Sequence, residues 1–403
     1  MGDRLRVGLM PMGGGEWTAG SVYLENLCYS VASEYPGEVE LYLVGPGAGS
    51  TAAGSRLLVR GVLPYGKPPR GTPAWAANGV AKRLLKTDLH ASRSLARGGV
   101  RALFGPVLTY RYSKTATISY IPDLQHVLLP GMFSEEERRT RDRQFSLAAA
   151  SSDRLLLTTN SALEGFREFA PAHARKMRLL HPASMVPHTV YEKDPSEVVS
   201  LYGLPERFIY IPNQFWKHKN HRVVFEALGL LKREGVELEL VCTGNSSDYR
   251  HPAHFSELFE YVARSGLRGN IHYLGLVPRE HLFMLMRQSL CVMNPSLFEG
   301  WGITVDEANS LGKAVLLSDI PEHREHEAPS ARYFNPNDVP EVARVMREAW
   351  MELVPGPDVA LEERARGEQP GRVRAYADAF MTTVAEALEE KGLPVPAGMG
   401  VIA

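Results

Sequence analysis

Short apolar runs alternate with helical periods along nearly the whole chain, and the alternation stops once and then restarts. Leu5–Met10 reads as a strand, followed by a helix over Ala19–Glu34 with Val22, Leu27 and Val31 on one stripe. Further strands are expected at Val39–Val44, Leu57–Arg60, Ala102–Phe104, Ala116–Tyr120, Arg154–Thr158 and Met177–Leu180. Helices are expected near Gly79–Ala96, Ser134–Ala150 and Ser161–Phe169. Pro182, Pro187, Pro195 and Pro205 then interrupt the pattern. A second series follows. Its strands are Phe208–Ile211, Leu238–Cys242, Ile271–Tyr273, Leu290–Met293 and Ala314–Leu317. Its helices are His221–Glu234, His254–Arg264, Arg279–Arg287, Gly302–Leu311 and Val339–Glu352. Strands separated by helices pair in parallel, because only a crossover returns the chain to the same edge.

The reading is therefore α/β, with two doubly wound domains facing each other across a cleft. Residues 1–185 form the first, 186–205 a linker, and 206–370 the second. Residues 371–391 form a helix packing back toward the first domain, and 392–403 a tail. The length of 403 residues suits two domains of ordinary size. Ligands of such sheets bind outside the carboxyl ends of the strands.

Composition removes several classes. Apolar residues make up 44% and charged residues 23%, as in globular proteins rather than disordered or fibrous ones. No apolar run is long enough to span a bilayer, and the start does not read as a secretory signal. Cys28, Cys242 and Cys291 are scattered without ligand spacing. They suit a reducing cytoplasm and argue against a disulfide framework or a metal site. The net charge of −1 hides an asymmetry. From Arg56 to Lys114 there are twelve basic residues and one acid, Asp88, so that segment carries +11 and the remainder −12. Such a field attracts phosphates, nucleic acid or acidic lipid, unless it is only a set of solvated helix faces.

The densest chemistry lies in Asn294-Pro-Ser-Leu-Phe-Glu299-Gly300-Trp301-Gly302-Ile303-Thr304-Val305-Asp306-Glu307. It leaves an apolar strand and opens a helix. Glycines permit a sharp turn and close approach of a ligand. The first amides of the helix, at Gly302, Ile303 and Thr304, then form an anion site. Glu307, one to two turns in, can accept two hydrogen bonds at once, as a ribose diol would offer.

Glu299 and Glu307, with seven residues between them, resemble the signature of retaining glycosyltransferase family 4, of GT-B fold with Rossmann-like domains. The resemblance runs from about Phe208 to Glu325. It includes Pro212–His221, Thr243-Gly244-Asn245, Leu274-Gly275 and Ala314–Asp319. It implies a nucleotide-diphosphate sugar as donor substrate, with no other cofactor and no metal. It also implies that Lys219 neutralises the donor diphosphate. The family's arginine is absent, with Asn213 or Gln214 near its place and Lys217 as a possible second charge. Gly244 is carried over to the donor-binding set. Glu299 would hold sugar hydroxyls and Glu307 the ribose.

Two segments of the first domain complete the expected site. In Tyr120-Ile-Pro-Asp123-Leu-Gln-His126, His126 is the match for a family histidine near the sugar, although Pro122 stands where many members carry it. The alternative is a satisfied structural histidine. Asp123 would position the acceptor hydroxyl. Gly14 and Gly15 follow the first strand, where they would lie against the sugar diphosphate. They do not have the spacing of a dinucleotide fingerprint.

The implied reaction is hexosyl transfer with retention to a saccharide, lipid-linked or natural-product hydroxyl, by front-face displacement. A GT-B epimerase and a catalytically silent nucleotide-sugar-binding subunit are the competing readings. No nucleic-acid-binding module accompanies the basic segment. The expected location is the cytoplasm, with peripheral contact at the inner, anionic face of a membrane. Arginine outnumbers lysine 34 to 11, which points to a GC-rich bacterial genome.

Overall fold

The computed structural model describes residues 4–13, 18–45, 48, 58–63, 65 and 67–396. The chain forms two compact units, Met1–Ala183 with Gly371–Ala403, and Ser184–Pro370.

Among the described residues, the first unit is built on seven parallel strands: β1 (Leu5–Leu9), β2 (Val39–Val44), β3 (Gly61–Leu63), β4 (Ala102–Pro106), β5 (Ala116–Tyr120), β6 (Arg154–Leu157) and β7 (Met177–Leu179). Their order is β3-β2-β1-β4-β5-β6-β7. Leu5 pairs with Val39, Val7 with Ala102 and Ile118 with Arg154. Leu5, Val7, Leu9 and the whole of β5 are buried, as expected of strands covered on both faces. The helix Glu135–Ser151 opens on a capping box. Ser134 Oγ accepts from the Glu137 amide at 3.2 Å, and Glu137 accepts from the Ser134 amide at 2.9 Å.

The second unit carries six parallel strands: β8 (Ile209–Ile211), β9 (Leu240–Cys242), β10 (Ile271–Tyr273), β11 (Val292–Asn294), β12 (Val315–Ser318) and β13 (Ala331–Phe334). They run β10-β9-β8-β11-β12-β13. Ile209 pairs with Leu240, Val292 with both Tyr210 and Val315, and Val315 with Ala331. Alternate residues serve opposite cores. Ile209 and Ile211 pack with Leu228 and Leu240 on one face, while Phe208 and Tyr210 pack with Phe283 and Val305 on the other. The strand order reverses between β8 and β11. The loops leaving these two strands therefore diverge, which makes room for a ligand.

The α/β class and the two doubly wound, Rossmann-like sheets agree with the alternation in the sequence. Several local expectations do not. The expected helix Gly79–Ala96 is two helices, Pro73–Leu84 and Leu89–Arg97. Lys86 adopts φ 51° between them, and Asp88 caps the second by accepting from the Ala91 amide at 3.0 Å. The third strand is Gly61–Leu63 rather than Leu57–Arg60. The stretch 186–205 lies in the second unit, where Ser196–Tyr202 is helical and Val198 and Val199 are buried. β13 was not expected at all.

The last helix is longer than expected, running from Val359 to Glu390 with Pro370 inside it. From Gly371 onward it belongs to the first unit. There Phe380 meets Phe104 edge-on at 5.3 Å, Tyr376 meets Tyr23 at 6.1 Å, and Glu386 accepts from Arg154 at 2.9 Å.

Gly312 follows the helix Ile303–Ser310 with φ +65°, and a Cβ there would stand 2.3 Å from the backbone of Leu361. Gly312→Ala is expected to destabilise the second unit by at least about 2 kcal/mol, read as a lower urea midpoint for that unit's transition. An unchanged midpoint would show that the Leu361 backbone yields without cost.

Candidate functional site

The loop leaving β8 is anchored by aromatic packing. Phe215 is fully buried, stacked on His221 at 4.0 Å and edge-on to Tyr273 at 5.0 Å. A single 3-10 turn, Lys217–Lys219, follows. Asn220 then adopts φ 57° and donates its side-chain amide to the Pro336 carbonyl at 2.9 Å, which fixes the entry to the helix His221–Arg233. The Lys217 amide donates to Asp248 at 3.0 Å, while its side chain is exposed. Lys219 is held differently. Its Nζ donates to both oxygens of Glu299, at 2.6 and 2.7 Å.

Glu299 comes from the loop leaving β11, so this pair joins the two loops at the point where strand order reverses. Ser296 Oγ lies 2.7 Å from Glu299 Oε1, and Asn294 Nδ2 donates to the same oxygen at 3.1 Å. The Leu297 amide donates to the His218 carbonyl at 2.8 Å, a second tie between the loops. Burial alone would push the Glu299 carboxyl up. The charge of Lys219, His323 and the hydrogen bonds from Lys219 and Ser296 outweigh it and hold the group down at about 2. His323 is buried with its Nδ1 2.9 Å from the Ser318 carbonyl, and burial pushes it down to about 4.

Gly302 adopts φ 90° and ψ 57° and opens the helix Ile303–Ser310. Its carbonyl accepts from the amides of Val305 and Asp306 at 2.8 and 3.2 Å. The preceding amides, of Gly302, Ile303 and Thr304, have no carbonyl one turn earlier and form the positive end of the helix. Thr304 Oγ1 approaches the Pro212 carbonyl at 3.5 Å, bringing the helix start beside the β8 loop. Gly244, after β9, comes closer still. Its φ is +133°, and a Cβ would stand 2.5 Å from the Asn213 carbonyl oxygen, so only glycine fits. Asn213 is buried, with no hydrogen-bond partner for its Oδ1 among the described residues, and Gln214 is half-buried.

Glu307 is buried one turn further along, with Arg279 Nη1 at 2.7 Å from its Oε1. Burial raises its carboxyl, Arg279 opposes that, and the neighbouring Asp306 adds to it. Asp306 is spent on the fold, accepting from the Ser184 amide at 2.5 Å. The second unit thus gathers Asn213, Gln214, Lys219, Gly244, Glu299, Gly302, Ile303, Thr304 and Glu307 at the carboxyl ends of β8, β9 and β11. Lys217 lies in the same loop but points its charge to solvent. Sequence reasoning missed Arg279 and the Asn294–Ser296 cradle. Asn294 and Ser296 sit inside the quoted motif, whereas nothing in the sequence pairs residue 279 with 307.

In the first unit, Asp123 and His126 belong to one cluster. Arg141 Nη2 donates to Asp123 Oδ1 at 2.5 Å, and its Nε donates to His126 Nδ1 at 3.2 Å. His126 Nε2 stands 3.0 Å from Asp142 Oδ1. The ring is buried edge-on to Phe145 at 5.2 Å, and burial, with Arg141 adding to it, lowers its proton affinity. Both ring nitrogens are engaged within this cluster, whereas Asp123 keeps about a quarter of its side chain exposed. Gly14 and Gly15 lie outside the described residues. No three histidine, cysteine or acidic side chains come together as a metal-ligand group among the described residues.

Residues 198–351 match the family described as Glycosyl transferases group 1. The O-antigen chain mannosyltransferase B of Escherichia coli is 32% identical over 101 residues, which are 24% of this chain and 26% of that protein. The serotype-specific mannosyltransferase WbdA of Escherichia coli is 24% identical over 202 residues, 49% of this chain and 24% of that protein. The chain thus spans about a quarter of the length of these curated relatives. Among solved structures, Anabaena HepE in complex with UDP and glucose superposes with a TM-score of 0.64 at 15% identity, covering 96% of this chain and 98% of that one. The fold is shared with that structure, and the stretch matching the glycosyl transferases group 1 family lies within the second unit.

Proposed function

We propose that the protein is a retaining glycosyltransferase that moves a hexosyl group from a nucleotide-diphosphate sugar to an acceptor hydroxyl on a saccharide, lipid-linked or natural-product molecule. The observation that carries this reading is the Lys219–Glu299 pair joining the β8 and β11 loops, beside the amides that open the helix Ile303–Ser310. A cation and a helix start suit a diphosphate whose negative charge grows as the glycosidic bond breaks. The mannosyltransferase relatives and the group 1 domain support hexosyl transfer.

In this reading Lys219 and the amides of Gly302, Ile303 and Thr304 bear the diphosphate, and no metal is required. Asn213, Gln214 and Gly244 line the same loops, and Lys217 adds long-range positive charge. Glu299, held ionised and rigid by Lys219, Ser296 and Asn294, accepts hydrogen bonds from sugar hydroxyls. Glu307 takes the ribose diol. The acceptor oxygen bonds to the anomeric carbon on the face the diphosphate leaves, and the departing phosphate oxygen receives the acceptor proton. Asp123 orients the acceptor, with His126 and Arg141 holding it in place. The protein's contribution is positioning and charge stabilisation.

Glu307→Ala is expected to weaken binding of the donor, measured by calorimetry over uridine, guanosine and thymidine diphosphate sugars, and to lower turnover at least about tenfold. Unchanged affinity and rate would remove the ribose assignment, and no heat with any of these compounds would remove the whole reading.

Arg279→Met should leave the buried Glu307 without its counter-charge and raise its carboxyl further. Donor affinity should therefore fall at a higher pH in that variant than in the wild type as the solution is acidified. Parallel pH profiles for the two proteins would sever Arg279 from the site. The depressed Glu299 contributes stability that is present above the ordinary carboxylate range and lost only as pH falls toward about 2, so it adds no titration near neutrality.

A further inference from the structure

The helix Pro73–Leu84 in the first unit is reversed relative to an ordinary surface helix. Its buried residues are Asn78 and Ala81, whereas Trp75, Val80 and Leu84 are 44%, 58% and 72% exposed, and Leu85 just beyond is 66% exposed. At about 100° per residue, Ala76, Val80 and Arg83 lie opposite Asn78 and Ala81, and Trp75 and Leu84 stand at the two edges of that exposed half-cylinder. Polar contacts fix this orientation. Thr72 Oγ1 accepts from the Trp75 amide at 3.2 Å, and Asn78 Oδ1 accepts from the His90 amide at 3.0 Å. The apolar face is therefore the solvent face by construction.

Its surroundings are basic. Lys67, Arg70, Arg83, Lys86, Arg93 and Arg97 are exposed. Asp88, the one acid between residues 56 and 114, is buried. It is consumed by Lys82 at 2.7 Å and by the cap of the helix Leu89–Arg97. An exposed tryptophan and branched aliphatics, in a segment whose exposed lysines and arginines make no ion pair among the described residues, match the two halves of a lipid interface, acyl chains beneath and anionic headgroups around. A nucleic acid would satisfy the charge and leave the apolar face uncovered.

We propose that this face seats the protein on an anionic lipid bilayer, with Trp75, Val80 and Leu84 entering the headgroup layer. The proposal stands on the first unit's surface and does not depend on the donor reading. The full chain should co-sediment with phosphatidylglycerol-rich vesicles, less so as salt rises, and not with pure phosphatidylcholine vesicles. Val80→Asp with Leu84→Asp should lower the vesicle-bound partition at least about tenfold, and Arg83→Glu with Lys86→Glu should do the same. Both variants should keep the wild-type melting temperature and nucleotide-sugar binding, because all four residues are exposed and lie outside the candidate site. Three results would overturn the proposal. The wild type could fail to bind anionic vesicles, the aspartate variant could bind as well as the wild type, or light scattering could show a wild-type dimer that the aspartate pair splits.

Discussion

A carboxylate and an amine, both withdrawn from water, hold two loops of the second unit in register. The Lys219–Glu299 contact joins the segments leaving β8 and β11, the two central strands whose connections run in opposite directions. A buried pair of this kind gains little net stability, because desolvating the two charges nearly cancels their attraction. Its value is geometric. Glu299 is also held by Asn294 and Ser296, so its orientation is over-determined before any ligand arrives. Removing either partner would leave the other as a buried, uncompensated charge. The pair therefore couples loop shape to charge, and the placement of Gly302 and the helix it opens follows from the same loop.

The buried charges in this unit fall into two kinds. Glu299 is surrounded by donors and remains ionised well below neutrality, whereas Glu307 has one cation and a neighbouring acid, and its carboxyl is raised. Two carboxylates eight positions apart thus have opposite electrostatic settings. The rigid, fully charged one suits persistent acceptance of hydrogen bonds. The other has its counter-charge on a separate helix, Arg279–Gln288, and its ionisation depends on that helix staying in place.

Much of this was legible in the residues. Parallel strands buried on both faces must be apolar, so β1, β5, β8 and β11 stand out, and the glycines at 244 and 302 sit where the backbone turns left-handed or another carbonyl crowds in. What escaped reading has physical causes. The break between Pro73–Leu84 and Leu89–Arg97 depends on a lysine in a left-handed conformation, which propensity disfavours. β13 is only partly buried and short, so it carries little apolar signal. Helix Ser196–Tyr202 sits in a proline-bearing stretch, and its burial comes from tertiary packing rather than from its own pattern. His126 enters the expected site through its resemblance to a family histidine, and the contacts that hold its ring come from elsewhere. Its partners, Arg141 and Asp142, come from the following helix and are invisible to spacing.

The long helix ending at Glu390 supplies Tyr376 and Phe380 to a core that otherwise consists of residues before position 183. Phe380 is synthesised 276 residues after Phe104, and Tyr376 is synthesised 353 residues after Tyr23, the rings they meet. During translation the nascent first sheet must wait, with part of its apolar face open, while the entire second unit emerges. A polypeptide stalled before residue 376 would expose that face to chaperones and to aggregation, however well its second unit had folded.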